Sequence, residues 1–102
     1  MQQTYSDAQL MHIRDQAMVY QCACPAQVCV AIDSIRSLYQ QQLRCLDTTD
    51  TDRSVHERIK ASAERSHAEL EACLTDIIRI EGWDMATLKM PAYLQKRLID
   101  DA

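Results

Sequence analysis

Cys22-Ala23-Cys24-Pro25-Ala26-Gln27-Val28-Cys29 is the stretch on which the fold of this chain turns. Three of the five cysteines and one of the two prolines fall in it, inside an otherwise helix-forming run. Within a continuous helix, the Pro25 ring would clash with the carbonyl of Gln21 and remove an amide donor. It also pushes Cys24 away from α geometry. Two arrangements fit: one kinked helix, or a break at residues 22–24 with Pro25 as the first position of a new helix. We adopt the break, which divides the N-terminal half into two helices.

Upstream of the break, Ser6-Asp7-Ala8-Gln9 has the spacing of a capping box, and Leu10, Ile13, Ala17 and Tyr20 then recur at threes and fours. A first helix is predicted over about 7–21. Downstream, Val28, Ile32, Ile35, Tyr39, Leu43 and Leu46 form the apolar stripe of a helix over about 25–46, roughly 33 Å long. Arg36, Gln40, Gln41 and Arg44 are read as lying off that stripe.

Asp47-Thr48-Thr49-Asp50-Thr51-Asp52 is small and polar and reads as a loop. A third helix is predicted over about 54–81, capped by Ser54 with Glu57 three residues on. Its inner face is read as Val55, Ile59, Ser66, Leu70, Cys73, Ile77 and Ile80, with Ala63 beside it. Lys60–Glu64 and Arg65–Glu69 make opposite-charge pairs on the outer face. Gly82, the lone glycine, sits where a left-handed residue ends a helix, and Trp83 after it can fold back onto Ile78. Residues 84–91 read as a short connection. Pro91 opens a last helix over about 91–99, with Tyr93, Leu94 and Leu98 apolar.

Composition supports this reading. The 102 residues include one Gly, two Pro and no Asn, too few turn formers for a β-sandwich or barrel of this size. The expected fold is all-α: one domain over 1–102, a small helical bundle built on a long antiparallel hairpin. Two long helices joined by a short loop cannot bury both faces alone, and Met11, Met18, Met85 and Met90 add adaptable apolar surface. A homodimer completing a larger bundle is expected.

A net charge of −4 speaks against a nucleic-acid partner, because phosphate binding needs a basic face. No stretch approaches the roughly 20 apolar residues that span a bilayer. The polar N-terminus has no apolar signal core, and five cysteines leave one unpaired in any oxidised framework. A cytoplasmic protein with reduced thiols is expected.

The cysteine octet also raises a chemical reading. A zinc site gathers about four ligands around one centre. In an unbroken helix Cys22 and Cys29 would sit roughly 10.5 Å apart along the axis and could not share an ion. A break lets Cys22, Cys24 and Cys29 gather at the start of the second helix, where the dipole acidifies thiols. Cys73 or His12 could complete such a set. The same thiols would serve a redox sensor, with Cys24 as nucleophile. Against this stands packing, since cysteine is a small buried hydrophobe.

His56 and His67 are about 16 Å apart by helical rise and are read as solvated. The carboxylates are read as surface residues. Glu64 and His67 have the Glu-x-x-His spacing of bundle di-metal sites, but it occurs once. No phosphate loop, nucleophile elbow or zinc-protease motif is present in the sequence, so catalysis is not expected. The sequence therefore points to a non-catalytic interaction or regulatory module that self-associates and needs no cofactor, with a thiol-based metal or redox protein as the alternative.

Overall fold

The computed structural model describes residues 1–18 and 24–91. They form three helices, α1 (Asp7–Met18), α2 (Cys24–Arg44) and α3 (Asp50–Ile80). The fold is all-α, and α2 and α3 make the antiparallel hairpin. The ends predicted for the first helix (19–21) and the whole of the last helix (beyond Pro91) lie outside the described residues.

The capping box that opens α1 is formed in both directions. Ser6 N–H donates to Gln9 Oε1 (2.8 Å) and Gln9 N–H to Ser6 Oγ (3.1 Å). Leu10, Ile13 and Ala17 are the buried stripe, as their spacing requires. Helix α2 begins at Cys24, one residue earlier than predicted, and Pro25 occupies its first turn, where no amide is needed. Asp7 meets Arg36 and Arg14 lies 3.9 Å from Asp33, so α1 runs back along α2. Pro25 therefore stands at a chain reversal rather than in a kinked helix.

The predicted start of α3 needs correction. Its N-cap is Thr49, not Ser54: Asp52 N–H donates to Thr49 Oγ1 (3.0 Å), and Thr48 Oγ1 donates to Asp52 Oδ2 (2.6 Å). Asp50 and Asp52 then lie in the first turn, where carboxylates favour the positive end of the helix dipole. Hydroxyl donation from Thr48 holds the Asp52 carboxyl below its ordinary range. The loop is residues 45–49, because α2 ends at Arg44 rather than near Leu46 and α3 starts at Asp50. The far end of α3 matches the expectation in full: Gly82 has φ 82°, its N–H donates to Arg79 O (3.0 Å), and Trp83 N–H donates to Ile78 O (2.9 Å).

The core sits at one end of the hairpin. Tyr5, α1, the first half of α2, the last turns of α3, and Trp83, Leu88 and Met90 enclose Ile13, Ile32, Leu74 and Ile78. The segment after α3 is locked on by Gln16, whose side-chain amide donates to Leu88 O (2.9 Å) and accepts from Met90 N–H (2.8 Å). Asp84 nucleates its turn by accepting from the N–H groups of Thr87 (3.0 Å) and Ala86 (2.8 Å), which hold its carboxyl low.

Among the described residues, no element covers the opposite end. Asp47, beyond the end of α2, pairs with His56 at 2.5 Å, so the first turn and a half of α3 projects past α2. The radius of gyration is 16.9 Å, against about 13 Å for a compact domain of this length. Among the described residues, no helix is long and apolar enough to cross a membrane.

Candidate functional site

The buried stripe of α2 runs Pro25, Cys29, Ile32, Arg36, and that of α3 runs Ala63, His67, Glu71, Leu74, Ile78. Both carry charge-bearing residues inward where the hairpin leaves its apolar core. This corrects three expectations. Arg36 does not project away from the stripe, His67 is not solvated (1 % exposed), and Glu71 is not a surface carboxylate. The inner face of α3 is also rotated by one residue from the predicted one: His67, Glu71, Leu74 and Ile78 point inward, while Val55, Ser66 and Ile80 are exposed. The expected Lys60–Glu64 pair is replaced by Lys60–Glu57, 2.8 Å apart.

These groups are buried together because each supplies what the others lack. Arg36 uses all three guanidinium nitrogens. Its Nε donates to His67 Nε2 (3.0 Å), Nη1 to Asp7 Oδ1 (2.5 Å), and Nη2 to Tyr5 O (2.6 Å) and Glu71 Oε2 (3.3 Å). Glu71 Oε2 also accepts the N–H groups of Thr4 (2.7 Å) and Tyr5 (3.0 Å), and the Tyr5 hydroxyl meets Thr75 Oγ1 at 2.5 Å. Among the described residues, no buried side-chain nitrogen or oxygen lacks a hydrogen bond.

The tautomer of His67 follows from these donors. A guanidinium only donates, so Nε2 carries no proton and the ring proton is on Nδ1, 3.5 Å from Glu71 Oε1. Burial lowers the pKa of His67. Glu71 opposes that shift, while Arg36 and the N-terminal amine add to it. The imidazole is neutral at pH 7, and the network, one guanidinium between two carboxylates, is a clamp that ties the N-terminal segment to α2 and α3. Its chemistry is that of a hydrogen-bonded tether, because every buried side-chain nitrogen and oxygen in it already has a partner.

The sequence-predicted thiols are dispersed. Cys24 is exposed at the start of α2, Cys29 is buried five residues on, Cys73 is half-buried on α3, and His12 is exposed on α1, with Nε2 at 2.5 Å from Gln16. Five residues separate Cys24 from Cys29 by about 7.5 Å along the axis. Burial, assisted by Asp33 and opposed by Arg14, raises the Cys29 thiol to about 11. That is the reverse of the acidification expected at a helix start. Among the described residues no three His, Cys, Asp or Glu side chains gather as ligands, and Cys22 lies outside them.

Arg36 and His67 were detectable in principle. Arg36 stands four residues after Ile32 and seven after Cys29, in register with the buried stripe, and His67 stands likewise between Ala63 and Leu74. Polarity alone assigned them to solvent.

The second candidate surface is the bare end of the hairpin. Leu43, Leu46 and Val55 are 55 %, 82 % and 49 % exposed, and a shallow groove along Thr51, Val55, Arg58 and Ile59 opens beside them. Compared with protein-family models, curated proteins and solved structures, the chain matches none of them.

Proposed function

We propose that this protein is a non-catalytic helical interaction module of the cytoplasm that self-associates through the bare end of its α2–α3 hairpin. The observation that carries this reading is the exposure of Leu43 on α2, Leu46 just beyond it and Val55 on α3, where no third element of the described residues flanks the hairpin. Burying a leucine or valine side chain contributes about 1.5–3 kcal/mol, so a partner at this end has apolar surface to gain. Charge favours a second copy as that partner. Over residues 37–60, Asp47, Asp50, Asp52 and Glu57 balance Arg44, Arg53, Arg58 and Lys60, whereas the whole chain carries −4. Two copies meeting at this end therefore meet without net repulsion, and their remaining negative charge is held apart. Light scattering and sedimentation velocity over a wide concentration range test the proposal. A dimer is expected for the native chain and a monomer for Leu46→Glu and for Val55→Lys. A native chain that stays monomeric throughout, or dimers unaffected by both changes, overturns it.

A further inference from the structure

The clamp described above joins the N-terminal segment to α2 and α3 through polar groups. Thr4, Tyr5 and Asp7 lie before or at the start of α1, and their amides, carbonyl and carboxylate all end on Arg36 or Glu71. The Nε–H of Arg36 is held by the neutral acceptor His67 Nε2 at 3.0 Å. We infer that Arg36, His67 and Glu71 form an acid-sensitive latch on the N-terminal segment, opened when His67 takes a proton at Nε2.

The balance is simple. The proton comes from solvent and lands on the one lone pair that Arg36 Nε–H now occupies, so that hydrogen bond is lost and two cations stand where one stood. Glu71 cannot serve both. Its Oε1 faces His67 Nδ1 at 3.5 Å, while Oε2 already holds Thr4, Tyr5 and Arg36. Drawing Glu71 toward an imidazolium withdraws Oε2 from the two backbone amides. Turning Arg36 away removes the donors of Tyr5 O and Asp7.

Every charged group near the ring enters this account. Glu71 and Glu64 face it from α3, Arg36 from α2, Asp7 from the start of α1, and the Met1 amine from the strap itself, in a cleft lined by Met1, Gln2 and Glu64. Asp7 is spent on Arg36, and Glu64 is exposed to water, which screens it.

The linkage has a definite sign. His67 has a folded-state pKa below its unfolded value of 6.5. The folded state thus binds fewer protons than the unfolded one between the two values, and stability falls as pH drops through that window. Carboxylates contribute below it. The latch is independent of pairing at the hairpin end, since Arg36 lies seven residues before Leu43 on α2.

Hydrogen exchange of the Thr4 and Tyr5 amides, corrected for intrinsic rates, tests the proposal on the full chain between pH 7.5 and 5. Their protection is expected to fall by up to about tenfold per unit as the pH drops from 6.5 toward the His67 midpoint and to level off below it, while Leu74 and Ile78 stay protected. His67→Gln keeps an acceptor for Arg36 but does not titrate, so its Thr4 and Tyr5 protection is expected to be flat. Flat protection in the native chain, or an equal loss in His67→Gln, overturns the latch. Should His67→Gln fail to fold, NMR titration of the native chain decides: the His67 ring and the two amides share one midpoint if the latch is real, and different midpoints refute it.

Discussion

The two ends of the hairpin are built from similar sequence and have opposite fates. At the core end, α2 and α3 are covered by α1 and by the turn carrying Trp83, Leu88 and Met90, so that Ile32, Leu74 and Ile78 lose all contact with water. At the loop end Leu43 continues the inward register of Ile32 and Arg36, seven residues beyond Arg36, yet more than half of it is exposed. Periodicity is therefore not what buries a residue. A helix stripe becomes core only where a third element reaches it, and α1 begins at Asp7, level with Arg36. The clamp of Arg36, His67 and Glu71 marks the boundary between the two regimes.

Substitutions that probe this contrast should rank by the region they strike. Leu74→Ala, in the covered end, is expected to cost about 3–4 kcal/mol in urea denaturation because it leaves a cavity in a closed core. Removing the clamp's cation by Arg36→Met should cost about 3 kcal/mol at pH 7, since Glu71 is left buried without its ion pair. Gly82→Ala forces a Cβ into the left-handed conformation that ends α3, for a loss of about 1–2 kcal/mol seen as a lower thermal midpoint. At the bare end, Leu46→Glu should change monomer stability by less than about 0.5 kcal/mol, while lowering the mass seen by light scattering. If Leu46→Glu instead destabilised the chain as much as Leu74→Ala, the two ends would not differ in the way described.

Much of the architecture was readable from local chemistry. Ser6 and Gln9 announced their reciprocal cap, Gly82 and Trp83 their Schellman turn, and Pro25 the start of a separate α2, because each of these depends on residues within a few positions of one another. Errors arose where a local signal had a competitor. Thr49-Asp50-Thr51-Asp52 offers the same hydroxyl-and-carboxylate pattern as Ser54 to Glu57, one turn earlier, and it also places two acids at the positive end of the dipole. The candidate site was the least legible part. Arg36, His67 and Glu71 sit on the inward faces, but hydropathy assigns such residues to water unless their partners are known, and those partners lie 29 to 67 residues away in the chain.

The sequence alone thus determined the three described helices, the cap at Ser6, the stop at Gly82 and the hairpin, since caps, a proline and a glycine act through neighbouring atoms. Only the tertiary structure decided which face of α3 turned inward and which end of the hairpin was covered. Burial of a charged group depends on whether donors from distant segments arrive to replace water, and that is a property of the assembled fold.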